Sequence, residues 1–587
     1  MNRRIVSIIV LILSLSLFGF LLYSTSFNDR LDKFYISEDE WNKITESRDE
    51  DITLDISPLK INYEKPFVSD GNVLYYSMID GDANRLNPTI QIGSGLNIAI
   101  KGEKLSDSSI EQNYQQDVII YDSKFYKTFK LVTTNLPIMS INYDSEAPKD
   151  RLNVDFKMQL YDNRKGVLER ITSSDGESHK RGNSSYRIDK ASYSVKLTQQ
   201  SVGDNKRTNR KSLLGMRESN NWILHNIAYD YEHVRDYFAT KLWSESSAYN
   251  NSFDFNNSAE WKYIELIEDG KYSGLYLLGH KPDSEMIGFD ETAEHPDIMF
   301  KASEWDEFYK FVTDQIDYLQ NYELVTDKVD RNLAYGVLKD YLKSLYSSDL
   351  SKLDYYSDFN NAIDFNLFVN ITQNIDIPRW TQGMVKNTYI TFKWDNDHYR
   401  AVLTPWDYDM ALGTDSLFGT EYDMSVDDNV ILPTDYVATR RRAGDEEIYR
   451  SLSSRFIVLR QSYLSDQHVE DIINEIEMLV YGSGAQVRDE ARWPSLHHSD
   501  ASLRLSRFKD YIKGRLSYLD SYYSQLDTTQ MATEDIYQIP NYVTVYLSTG
   551  ILLSPEDPEY LEAKPEEIED ESDVIEDEVF YYDFDFE

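Results

Sequence analysis

TPWDYDMALG, Thr404 to Gly413, decides how the rest of this chain is read. A short apolar strand, Ala401 to Leu403, runs into two aspartates two residues apart, Asp407 and Asp409; small and apolar residues and a glycine follow. Where a strand ends, the chain stops pairing, and carboxylates placed there face an open cleft. Hard cations such as Mg²⁺ take carboxylate oxygens and complete their shell with waters and substrate phosphates. Trp406 and the apolar strand set the pair against a core, where an uncompensated carboxylate is costly. Upstream lie Asp376 in QNIDIPRW and Asn387 in VKNTYITF. Aspartate, asparagine and strand-end aspartate, in that order, are the parts of a phosphoryl-transfer site. In a chain with 101 acidic residues such a pair also arises by chance as a solvated turn. The flanking sequence carries the argument.

Three further stretches lie upstream. RGNSSYRIDKASYSVKL, Arg181 to Leu197, holds a small-residue turn at Arg181, Gly182, Asn183, Ser184 and Ser185 beside a strand. Its amides and hydroxyls can cradle phosphate, and Lys190 and Lys196 follow within reach of the same phosphates; a plain hairpin is the other reading. NNWILHNIAYDYEHVRDYFATKLW, Asn220 to Trp243, reads as a buried strand entering an amphipathic helix. Asp230 stands as its N-cap. Arg235 either braces the site or pairs with Asp230 or a backbone carbonyl. KYIELIEDGKYSGLYLLGHKPD reads as a hairpin turning at Asp269-Gly270, a type I′ signal, with Ser273-Gly274 allowing close approach of a neighbour. His280 closes it, and a lone histidine there is more often structural than catalytic.

At 587 residues the chain is too long for one ordinary core. Its net charge of −41 argues against binding nucleic-acid backbone or an anionic membrane surface. It holds no cysteine, which excludes disulfides, thiolate metal sites and a cysteine nucleophile. Arg3-Arg4 precede an apolar run from Ile5 to Tyr23, near the ~20 residues a helix needs to span a bilayer. Arginines on that side stay in the cytoplasm, so the expectation is a single-pass anchor in the cell membrane with the bulk of the chain extracellular. A cleaved signal peptide has a shorter apolar core and small residues at the cut.

Residues 1–27 then form a cytoplasmic stub and transmembrane anchor, and 28–51 a polar stalk. The alternating stretch 52–136 reads as a β-sandwich, with a spacer or binding role. From 137 to 526, strands come mostly early and helices mostly late, the order of an α+β domain. A C-terminal extension covers 527–554. The stretch 555–587, with 16 Asp or Glu and one Lys, reads as a disordered acidic tail.

The ordered set RGNSS…K…Y…KL, W-I-L…D…VRD, DGKYSGLYLL, the aspartate before KNTYITF, PWDYDMALG, RDEARWP and the long terminal helix ending GRLSYLDSY resembles the spore-coat H (CotH) kinase family across about two thirds of the chain. That resemblance implies an atypical protein-kinase-like, two-lobed domain that uses ATP with Mg²⁺ or Mn²⁺ to phosphorylate serine in spore-coat proteins. On this chain it implies a surface or secreted protein as substrate. Carried over, it makes Asp376 the catalytic aspartate, Asp407 and Asp409 the metal carboxylates and Asn387 the asparagine near the metal. The Arg181–Ser185 turn becomes the phosphate loop, with Lys190 or Lys196 as the nucleotide lysine and Arg235 alongside. Two departures stand out. Thr381, Gln382 and Gly383 occupy the place where many members carry the asparagine, and His280 replaces a glutamate. A kinase-like surface scaffold without turnover is the alternative reading.

Overall fold

The computed structural model describes residues 27–182, 184–199, 206–290, 293–303, 322–345, 347, 349–374, 377–379, 384–414, 422, 424–427, 434–496 and 499–524. The apolar run at 5–23, Asp376 and the acidic stretch 555–587 lie outside the described residues. Among those described, no helix is long and apolar enough to cross a membrane.

The first strands are β1 (Phe27–Arg30), β2 (Asp49–Glu50), β3 (Lys60–Ile61), β4 (Phe67–Ser69), β5 (Val73–Ser77), β6 (Thr89–Ile92), β7 (Asn97–Lys101), β8 (Gln116–Tyr121) and β9 (Phe125–Thr134). They make two sheets, β1-β6-β3 and β4-β5-β9-β8-β7, with β2 beside β9. The sheets share a core that includes Ile61, Ile90, Leu74, Ile100 and Leu131. The stretch 28–51, expected to be a stalk, is instead part of this unit. Leu31 enters that core, and the helix Glu38–Glu46 lays Trp41 on Ala99 and Ile119 of the outer sheet face. The polar composition misled because this helix buries a single residue, Trp41, and its capping box uses Ser37 and Glu40.

The next eight strands are β10 (Ile138–Tyr143), β11 (Val154–Tyr161), β12 (Ile171–Arg181), β13 (Ser192–Gln199), β14 (Arg207–Thr208), β15 (Asn221–His225), β16 (Glu260–Glu268) and β17 (Lys271–His280). Their order is β12-β11-β10-β16-β17-β15-β13-β14, and β12 also pairs with β13, from Asp175 against Thr198 to Arg181 against Ser192. The sheet therefore closes into a barrel that leaves β14 outside the ring. Closure removes the exposed edges that an open sheet must otherwise protect. Alternate residues such as Ile141, Met158, Val195, Leu224, Ile264 and Leu278 fill its inside. The β16–β17 turn carries positive φ at both Asp269 (47°) and Gly270 (70°), as a type I′ turn requires.

A second sheet follows, in the order β19-β18-β22-β23. It is built from β18 (Ile298–Ala302), β19 (Tyr322–Leu324), β22 (Thr388–Asp395) and β23 (His398–Pro405), with the ribbon β20 (Pro378–Arg379) and β21 (Met384–Val385) preceding β22. Helices Arg235–Ser246, Arg331–Ser344, Phe359–Thr372, Glu446–Arg460, Asp466–Val480 and Ser506–Ser524 pack with this sheet into the largest core. The whole is a mixed α+β architecture.

Candidate functional site

Between the barrel and the second sheet lies a cavity of about 630 Å³. The barrel contributes Arg181 at the end of β12, His225 at the end of β15 and Trp261 from β16. The loop after β15 contributes Asn226 to Asp230, and the first turn of the 235–246 helix contributes Asp236. The opposite wall carries Lys301 of β18, Asn387 just before β22, and Trp406, Asp407 and Asp409 just after β23.

The register explains the convergence. Thr388 pairs with Pro405, so Asn387 and Trp406 extend the same antiparallel ladder by one step. The Trp406 amide donates to the Asn387 carbonyl at 2.9 Å. Asp407 then turns out of the ladder with φ of 67°, a left-handed conformation that aspartate tolerates better than most residues. Its carbonyl accepts from Asn374 Nδ2 at 3.0 Å, and the Leu412 amide donates to Thr372 at 2.6 Å. The C-terminal end of the 359–372 helix thus clamps the aspartate turn from both sides.

Arg235 clamps it from below. This guanidinium is buried; Nη1 donates to Asp230 Oδ1 at 2.6 Å and Nε to the Ala411 carbonyl at 3.2 Å. Asp230 Oδ2 also accepts the Arg235 amide at 2.6 Å. Asp230 is therefore not the N-cap the sequence suggests: the helix begins at Arg235, several residues later, with Val234 as its N-cap, and Asp230 reaches the helix start only through the Arg235 amide. Of the two readings of Arg235, bracing and pairing with Asp230 are the same event: it does both, and it is not among the residues lining the cavity.

Arg181, Asn387, Asp407 and Asp409 reach the cavity. The expected lysines do not. Lys190 is fully buried, 2.7 Å from Asp489 of the helix Ala485–Arg492, behind the cavity wall. Asn226 holds the Lys190 carbonyl from that wall. Burial pulls the Lys190 ammonium below its ordinary value, opposed by Asp489. Lys196 is half exposed and 3.7 Å from Glu177 on the barrel surface. The physical reason is strand alternation: in β13 the lysine at 196 points out between inward Val195 and Leu197. The turn after Arg181 continues as a single 3₁₀ turn, Ser184–Arg187, and the side chains of Ser184 and Ser185 lie outside the described residues. Lys180 Nζ donates to the Ile188 carbonyl at 3.1 Å and closes that turn.

Lys301, unforeseen in the sequence, does enter the cavity. Burial, and then the neighbouring Arg181, pull its ammonium down, while Asp407 and Glu323 oppose them. Burial likewise pulls the Arg181 guanidinium down, opposed by Tyr389, Asp407 and Asp236. The signal was present in PDIMFKAS: one lysine inside a buried strand needs a partner or a ligand. His225 and Asp236 were also missed, because their partnership spans a loop.

Among the described residues, no group of three His, Asp or Glu side chains stands close enough to hold a metal. Magnesium does not need one: one or two carboxylates with waters and phosphates suffice. Asp407, Asp409 and the amide of Asn387 are the right donors for a hard cation, and Arg181 and Lys301 the right neighbours for phosphate. His280 lies elsewhere, in a separate cavity with Arg217 and Lys241.

A model of the CotH kinase protein family matches residues 179–519. No curated protein matches the chain. The matched span starts near the end of β12, although β10 and β11 belong to the same closed barrel.

Proposed function

The chain belongs to the CotH kinase family, and from that premise we propose that it binds ATP with a divalent cation and transfers the γ-phosphoryl group to hydroxyl side chains of surface or secreted proteins. The domain would be an atypical, two-lobed kinase, with the barrel as one lobe and the helix-rich core as the other. The observation that carries this reading is the charge arrangement of the cleft. In a chain of net charge −41, one cavity is lined by five cationic side chains, Arg151, Lys180, Arg181, Lys301 and Lys386, together with the carboxylates of Asp230, Asp236, Asp407 and Asp409. Such a site matches a polyphosphate carrying a hard cation, whose spread negative charge must be met on all sides.

Asp407 and Asp409, with Asn387, would hold Mg²⁺ or Mn²⁺. The bound cation would supply neutralisation of phosphate charge. Arg181 and Lys301 would hold the phosphate oxygens from the barrel side and from β18. Asp376, by its place in the family pattern, would orient the acceptor hydroxyl. The Arg3-Arg4 flank and the 5–23 run support a membrane-anchored, outward-facing enzyme. Protease added to intact cells should then remove the C-terminal part.

The experiment is a melting curve with and without millimolar ATP and Mn²⁺. The protein should melt higher with ligand. Asp409→Ala and Asp407→Asn should lose the shift; the second keeps a side chain that tolerates φ of 67°. Changes merely behind a metal ligand already weaken binding about 10–100-fold, so loss of a ligand should cost at least that. Asp376→Asn should keep the shift and lose phosphoryl transfer by ~10²-fold or more. An unmutated protein with no shift ends the kinase reading.

A further inference from the structure

We propose that His225, oriented by Asp236, takes the proton from the attacking hydroxyl; this rests on the phosphoryl-transfer reading above. His225 is the last residue of β15 and lines the cavity beside Trp261, ring to ring at 5.8 Å. Its Nε2 stands 3.0 Å from Asp236 Oδ2. An ionised carboxylate accepts hydrogen bonds and donates none. Nε2 therefore carries the hydrogen, and in the neutral ring Nδ1 carries the lone pair. Among the described residues no protein group bonds Nδ1, and the side chain keeps 22% of its surface exposed. The Asp236 contact thus holds the ring in one tautomer, on a side chain that lines the cleft.

Asp236 is itself fixed. It is buried in the first turn of the 235–246 helix, where the helix dipole favours a carboxylate. Its Oδ1 accepts the Tyr408 amide at 3.3 Å, between Asp407 and Asp409. The imidazole is thus one carboxylate away from the turn expected to hold the cation. The titratable and charged groups that share its cavity come from each neighbouring element: Arg151 from the β10–β11 loop, His179, Lys180 and Arg181 from β12, Lys301 from β18, Lys386 from the segment before β22, Asp230 from the loop, and Asp407 and Asp409 from the turn. Base, orienting carboxylate and phosphate-binding cations occupy one wall and its opposite.

The step balances as follows. The hydroxyl oxygen forms a bond to the γ-phosphorus, and the bond from that phosphorus to the bridging oxygen breaks, its electron pair leaving with ADP. The hydroxyl proton passes to Nδ1, and Asp236 stabilises the imidazolium until it returns the proton to water. Asp236 acts through His225 and is a positioning residue.

The test uses the full chain with ATP and Mn²⁺, water as acceptor, and ADP release followed from about pH 5.5 to 8.5, the range where an imidazole changes charge. In the unmutated protein the rate should fall as pH falls, because a protonated ring has no lone pair to offer. His225→Gln should keep the ATP–Mn²⁺ melting shift, lose ~10²-fold in kcat with little change in KM, and lose the acidic limb. Added imidazole should restore part of the rate to His225→Ala. A variant that retains rate and acidic limb overturns the assignment. So does a protein that shows the melting shift yet releases no ADP at any pH, with nucleotide binding intact. Absence of the shift itself overturns the kinase reading instead.

Discussion

His280 ends β17 with its ring 3.9 Å from that of Trp222, and Nδ1 donates to the Asn221 carbonyl at 3.2 Å. It is 3% exposed, and burial, aided by Arg217, holds the imidazole down at about 4 against an ordinary 6.5. The folded state therefore refuses a proton that the unfolded chain accepts between about 6.5 and about 4. Stability from this residue is full above that window and falls as pH drops through it, by about 3 kcal/mol in all. Urea unfolding at pH 7.5 and pH 4.5 should show a smaller gap for His280→Phe than for the unmutated protein. An equal gap would place the acid sensitivity elsewhere. Lys190 makes the same point for a buried charge. Removing one partner of a buried pair leaves the other uncompensated, at about 3–5 kcal/mol. Lys190→Ala should be destabilised on that scale, whereas Lys196→Ala, half exposed, should stay within about 0.5 kcal/mol. If chemical denaturation ranks them the other way, the burial argument fails.

Strand β12 shows where the sequence stops being legible. Strands β11, β13, β15, β16, β17, β22 and β23 all announce themselves by apolar alternation or by apolar runs. ITSSDGESHKR does not, yet its burial alternates, with Ser174, Gly176 and Ser178 turned inward. The pattern is invisible in hydropathy because the barrel leaves no room there. A Cβ on Gly176 would stand 2.3 Å from the Phe156 ring and 2.9 Å from the Lys196 carbonyl. Small residues at these points let β12 close the ring between β11 and β13. Gly176→Ala should therefore cost about 1–3 kcal/mol, where a strain-free glycine-to-alanine change stabilises slightly, and lower the melting temperature accordingly. A neutral result would show that the ring can open locally. The same logic governs the site. Asp407, Asp409 and Asn387 were readable because one hairpin register brings them together. Lys301 and the His225–Asp236 pair were not, since their meeting depends on how the barrel, the second sheet and the 235–246 helix pack.

At the scale of the molecule, the N-terminal unit and the barrel are docked rather than strung together. Tyr75 stacks on Tyr272 at 5.6 Å, within a shared cluster that includes Val132, Ile138 and Ile267. The Asp70 amide donates to the Gly270 carbonyl at 2.7 Å, at the tip of the β16–β17 hairpin. Arg488, buried against Glu265, reaches Asn113 of the N-terminal unit at 3.1 Å, and Arg504 pairs with Glu111. Asp489, next to Arg488, is the partner of Lys190 behind the cavity wall. None of residues 27–134 lines the cavity itself. A chain beginning at Asn135 should thus retain the ATP–Mn²⁺ melting shift but start from a lower melting temperature. It loses an aromatic stack, several hydrogen bonds and the cover over Ile138, Ile267 and Tyr272, about 2–4 kcal/mol together. It should also bind a hydrophobic dye at that newly uncovered face. Equal melting temperatures and no dye binding would show the docked surface to be energetically idle. Loss of the nucleotide shift along with stability would show instead that the Asn113–Arg488 contact holds the wall on which Lys190, Asn226 and the cleft depend.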